Sequence, residues 1–392
     1  MFAAFIRAAG FLFAVAARAA AAPFVPEADS QVLEHLPFTP NDPVMRELSA
    51  LRGRLAKEPD DLPLALRLAR RYLELGRVTG DPRYAGYAQA ALASWWNQDP
   101  PPEDVLILRA TLRQRVHRFD AALADLETVL NANPRNAQAR LTRATVLQVQ
   151  GAFTAARDEC LVLKSLTQDL VSAACLASVN GASGKLRESY EQLRAALDRQ
   201  RYVQPEIRVW VLTSLAEMAA RAGMAEAAQS HFRAALALDA TDNYLLGAYA
   251  DFLLDTGEPQ EVATLLKDKT RVDPLLLRYA LALKAQHSKE LVTQIEQLRD
   301  RFAASRLRGD RVHVREEARF TLDLLEDPKA ALGLAQENWA VQKEPADVRI
   351  LLASALAAQD TATIETVRSW LTETGLEDTQ LALLLGPGSQ PN

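Results

Sequence analysis

The chain has 392 residues, 49% of them hydrophobic and 24% charged. That is enough apolar material for a packed core and too balanced a composition for a disordered chain. The net charge of −5, with no run of basic residues, argues against a nucleic-acid-binding face. Alanine and leucine dominate and glycine is scarce, at 16 residues, which favours helix throughout.

Residues 1–21 read as a secretory signal. Arg7 opens it, an apolar run extends from Ala8 to Ala17, and Ala19 and Ala21 form a small-residue cleavage pair. An apolar run of this length spans about 15 Å as helix, half of the hydrocarbon core of about 30 Å. Cleavage after Ala21 would leave Ala22-Pro23-Phe24 at the new N-terminus, and the chain is then expected in the periplasm or secreted. Arg18, close to the cut, leaves a second reading open, in which the segment is retained as a membrane anchor. Residues 22–61 read as an extended leader, with Pro23, Pro26, Pro37, Pro40 and Pro43, followed by a first helix.

From residue 62 the sequence repeats. Ala110 and Ala144, Phe119 and Phe153, Ala122 and Ala156, and Pro100 and Pro134 stand 34 residues apart, as do Ala216 and Ala250, and Gly223 and Gly257. A fixed period of this size marks a stack of two-helix units. Asp104 to Arg115 and Phe119 to Leu130 carry apolar residues at helical spacing, with a turn between. Ala110 and Ala122, one on each helix, let the backbones approach closely. Gly151, Gly223 and Gly257 fall where first helices end and a positive φ is needed.

On these residues the chain resembles the tetratricopeptide repeat family. Its clearest unit is Val209 to Asp242, with Ala216, Gly223, Ala228, Phe232 and Ala235-Leu236. The family's tryptophan is missing; Leu106, Arg140, Ala173, Leu212 and Leu246 hold its slot. The resemblance implies an all-α fold, a right-handed superhelical solenoid of antiparallel helix pairs. About eight pairs are expected over 62–375, best defined at 103–136, 137–169, 209–242 and 243–276, the last closing at Pro274. Residues 376–392 are expected to form a C-terminal cap and a loose tail. The resemblance also implies a concave surface for a protein or peptide partner. In the family's frame that surface is lined by Trp210, Thr213, Glu217 and Arg221 on one first helix and Tyr244 and Asp251 on the next. Trp210 and Tyr244 have an alternative reading, as packing between repeats.

No catalytic constellation emerges. The five histidines are isolated, with no partner at i+4 and no metal-binding motif. Asn180 to Lys185 looks faintly like a phosphate loop but lacks its glycine spacing and the Ser/Thr after lysine; a repeat turn is due there. The reading is therefore a non-catalytic interaction scaffold, with no metal, no cofactor and no small-molecule substrate, and with a membrane contact only if residues 1–21 are retained. Cys160 and Cys175 flank a predicted turn near Gln168, eight residues after one and seven before the other. Their heights match across the helix pair, so the spacing allows either a disulfide or two unbonded core side chains.

Overall fold

The computed structural model describes residues 28, 39 and 41–386. The expected signal and most of the expected leader lie outside the described residues, as does the end of the tail. The chain divides into two units, residues 1–46 and 47–392. A first helix, α1 (Pro43–Lys57), runs across that division, and the repeats belong to the second unit.

The first helices of successive pairs are α2 (Leu62–Thr79), α5 (Glu103–Arg115), α7 (Ala137–Val149), α9 (Asp169–Gly181), α11 (Pro205–Arg221), α13 (Asn243–Asp255), α15 (Asp273–Ala285), α17 (Val314–Asp323) and α19 (Pro345–Ala358). Their partners are α3 (Arg83–Ala91) with the short α4 (Ala93–Trp96), then α6 (Phe119–Ala132), α8 (Phe153–Leu163), α10 (Leu186–Asp198), α12 (Ala225–Leu238), α14 (Pro259–Leu266), α16 (Leu291–Leu307), α18 (Pro328–Trp339) and α20 (Thr361–Thr374). A last helix, α21 (Thr379–Leu385), closes the described chain. Among the described residues there is no strand, and no helix is long and apolar enough to cross a membrane.

The pair α11–α12 shows why these residues fold this way. Pro205 sits in the first turn of α11, where its missing N–H costs nothing. The helix stops at Gly223, at φ +74°, and the Met224 N–H returns to the Ala219 carbonyl at 2.8 Å. Ala216 and Ala228 are fully buried where the two backbones meet, and Phe232, 1% exposed, covers the contact. Its ring lies 5.2 Å from Tyr249 and 5.6 Å from Phe252 of the next pair, so one side chain joins two repeats. Truncating it would cost about 3–5 kcal/mol. His117 (φ 56°) and His287 (φ 54°) occupy the same left-handed slot in other pairs, which is why glycine does not mark every unit.

Two expectations are corrected. There are nine helix pairs among the described residues rather than about eight. Pro274 does not close a unit but lies in the first turn of α15, so that pair begins at Asp273. The phrase Asn133-Pro134 does lie between helices, whereas Asp273-Pro274 starts one, so a similar dipeptide serves two roles. In the segment expected to hold the cap, Leu381 of α21 is 2% exposed and packs into the core.

The solenoid also folds onto itself. One apolar cluster joins Ala144, Phe153, Leu163 and Val179 of the early pairs to Val348, Leu351, Leu371 and Leu381 of the last ones. Trp370 places its ring 6.3 Å from Phe153 and 5.1 Å from Trp339. The turns at Gly184 and Gly375 meet so closely that a side chain on Gly375 would lie 3.1 Å from the Gly184 Cα. Farther along, the Lys343 N–H donates to the Val149 carbonyl at 2.7 Å and the Leu186 N–H to Glu377 at 3.1 Å. At the other end of the unit, Asn243 donates to the carbonyls of Arg77 and Val78 at 2.8 and 3.1 Å, and Arg77 pairs with Asp242. Cys160 and Cys175 are joined as a disulfide, Cα atoms 5.5 Å apart, tying α8 to α9 beneath this closure.

Candidate partner-binding site

Successive first helices place acids and bases opposite one another. Asp251 of α13 accepts from Arg278 of α15 and Arg319 of α17, both at 2.5 Å. Burial opposes its ionisation, yet the two guanidiniums hold its carboxyl well below the usual range. Asp255, one turn on, takes both arms of Arg349 from α19. Arg315 at the start of α17 serves three carboxylates, Glu316, Glu344 and Asp347, at 3.4, 3.1 and 3.4 Å. Asp347 is 1% exposed, and burial pushes its carboxyl up although Arg315 pulls it down. Burial also works against ionisation of Glu316, but Arg315 brings it down to about 2.

Glu217 differs from these. Its carboxylate accepts the Tyr244 hydroxyl at 2.7 Å, and among the described residues no basic group is paired with it. Burial pushes this carboxyl up to about 7 against the Tyr244 hydrogen bond and the attraction of Arg221, with Glu344 and Asp251 adding to the rise. Tyr244 is 63% exposed, its ring open to solvent while its oxygen is held. The charge of Glu217, then burial, raises the phenol well above its ordinary range; Glu344 and Arg315 are also within electrostatic reach. The pair therefore sits where α11, α13, α17 and the start of α19 converge.

Of the six residues expected in the groove, the structure brings Glu217 and Tyr244 together as a partly open pair. Trp210 is half-buried and packs against the core formed by α9 to α15. Thr213 is 4% exposed and gives its hydroxyl to the Val209 carbonyl at 2.8 Å. It is a core residue, because α11 turns that face toward its neighbours rather than inward. Arg221 donates to the Gly181 carbonyl at 3.0 Å, and Asp251 is consumed by its two arginines. Arg221 and Arg349, with Asp255, Asp378 and Thr379, line a pocket of about 260 Å³ beside α21. Burial pushes Asp378 up and Arg221 down.

Sequence reasoning missed Arg278, Arg315, Arg319, Arg349 and Asp347. Their partners lie up to 94 residues away, so no spacing along one helix announces them. Among the described residues no group of three or more His, Cys, Asp or Glu is placed to hold a metal ion.

No family model matches the sequence, and no curated relative does. Solved structures with a related arrangement include the Cut9–Hcn1 hetero-tetramer of the APC/C, at 12% identity over 83% of this chain and 52% of that one, TM-score 0.40. The chain thus spans about half the length of that protein. The P58(IPK) TPR domain aligns at 19% identity over 83% of this chain and 96% of that chain, TM-score 0.25. Yeast Tom70 aligns at 12% identity over 84% and 88%, TM-score 0.31. Those scores carry nothing finer than the likeness itself. The assignment rests on the nine consecutive helix pairs among the described residues, the buried alanines at their contacts and the left-handed turns between them: this chain is a tetratricopeptide-like, all-α repeat protein.

Proposed function

We propose that the chain is a non-catalytic scaffold that holds a protein partner on the inward face of α11 and α13. The observation carrying this reading is the exposed Tyr244 side chain of α13, anchored through its hydroxyl on Glu217 of the preceding first helix. Aromatic side chains held rigid at low entropic cost are the usual anchors of interfaces. On the same two helices Asp251 is engaged by Arg278 and Arg319, Asp255 by Arg349 and Arg221 by the Gly181 carbonyl, so the partner contact is short. The test is a photo-cross-linking residue at position 244 and, as control, at Glu191 on the exposed side of α10. Adducts with one protein from position 244 alone are expected; equal labelling from both positions, or none from 244, refutes the reading.

The compartment proposed is the periplasm or the cell exterior. Residues 1–21 have the composition of a secretory signal, and a disulfide between the two cysteines is at home in an oxidising environment. A fusion of residues 1–30 to a reporter active only outside the cytoplasm should be active, with the mature chain starting at Ala22. Recovery of intact Met1 in a cytoplasmic fraction would sink this location.

A further inference from the structure

We infer that the Glu217–Tyr244 pair is the receptor for one basic side chain, lysine or arginine, on an extended segment of the partner; this rests on the scaffold reading above. The other inner carboxylates of α13, α17 and α19 already have guanidinium partners: Asp251 has two, Asp255 has Arg349, and Arg315 is shared by Glu316, Glu344 and Asp347. Glu217 has a phenol instead of a cation.

The geometry around it suits a cation in two further ways. Tyr244 is 63% exposed while its hydroxyl is held by Glu217, and an ammonium or guanidinium is drawn to the face of such a ring within about 6 Å of the centroid. The methylene stem of a lysine or arginine can lie along the same ring while its head reaches the carboxylate. Two basic groups are near: Arg221 attracts Glu217 electrostatically but makes no ion pair with it, and Arg315 is engaged by three acids. Arg221, one turn along α11, donates to the Gly181 carbonyl. Burial raises the Glu217 carboxyl, and neither the Tyr244 hydrogen bond nor the attraction of Arg221 offsets it; an incoming cation at ion-pair distance would.

An anionic ligand is disfavoured here. It would face Glu217 and Glu344 together, and the guanidinium of Arg315 is already divided. An uncharged apolar anchor could use the Tyr244 ring but would cover the carboxylate without a counter-charge, at a cost that a lysine avoids.

The experiment uses the full chain and three synthetic heptapeptides, acetyl-Gly-Ser-Ala-X-Ala-Ser-Gly-amide, with X lysine, norleucine or glutamate. Titrations followed by peptide line broadening should show lysine preferred over norleucine by about 10-fold at pH 8, the worth of one charge-assisted contact. Glu217→Gln should abolish that preference. Tyr244→Leu, at an exposed position that does not endanger folding, should weaken the lysine peptide without restoring the norleucine one. Affinity for the lysine peptide should fall in the wild type as pH is lowered from 8 to 5, and should not do so in Glu217→Gln; a merely structural role for Glu217 would give no such difference. Equal affinity for lysine and norleucine, undiminished lysine binding by Glu217→Gln, or no binding of any peptide each overturns the cation site. A cross-linked partner captured at position 244 that shows no dependence on basic residues would leave the scaffold reading standing and this one refuted.

Discussion

At Glu217 the protein keeps a carboxylate whose environment favours the neutral form, and this fixes the sign of its effect on stability. Its folded value of about 7 lies above its ordinary 4.5. Its contribution is therefore complete below about pH 4.5 and is lost as pH rises toward 7 and beyond. Asp251 works in the opposite sense: its carboxyl is depressed, so its contribution is present above its ordinary range and is lost as the solution becomes strongly acidic. The two titrate in different windows; between pH 5 and 8 Asp347, raised to about 6, titrates with Glu217, and comparison with Glu217→Gln separates the two. Wild type should lose about 1–2 kcal/mol more stability across that interval than Glu217→Gln, the full shift being discounted for partial exposure. Parallel curves for the two proteins would show that this carboxyl is not perturbed.

Among the elements, α8 and α9 are linked covalently as well as by packing, because Cys160 and Cys175 join them across a separation of 15 residues. A loop of that size stabilises by roughly 3 kcal/mol, mostly through the unfolded chain. Both cysteines are buried, 0% and 5% exposed, which puts the bridge out of reach of a reductant until the pair opens. Thiol labelling of the denatured, unreduced protein should find no free thiol, and reduction under denaturing conditions should lower the unfolding midpoint by an amount equivalent to about 3 kcal/mol. Two labelled thiols per chain would contradict the bridge. The spacing around Gln168 places both residues at one height but leaves bonding open, because height says nothing about which way each Cβ points. Packing decides that: both cysteines belong to one apolar cluster, which turns both toward the seam.

On the scale of the molecule, the second unit is not a row of repeats that touch only their neighbours. In such an array a change in the last pair would be felt only locally. Here Trp370 of α20 packs on Phe153 of α8, and the C-terminal helices share a core with α7, α8 and α9. Trp370→Ala should therefore cost about 2–3 kcal/mol and raise amide exchange through residues 153–181 as well as around position 370. Exchange confined to residues 361–385 would mean that the last pairs only lean on the early ones.

What the sequence alone determined is local and repetitive: helices with buried alanines at their crossings, aromatic covers such as Phe119, Phe153 and Phe232, and turns that need a left-handed residue. Those choices depend on contacts within about 34 residues, which period and spacing display directly. Frame errors at Pro274, and the histidines that replace glycine in two turns, arose where one residue type serves two local roles. Only the tertiary structure decided that Thr213 is core while Tyr244 is open, and that Asp251 and Asp255 are neutralised by arginines 27 to 94 residues away. It also decided that α19 to α21 return to the early pairs. The physical reason is that each small rotation between repeats is set by side-chain packing and accumulates along the solenoid. Which distant faces meet depends on the sum of many such rotations, and no single stretch of sequence carries that sum.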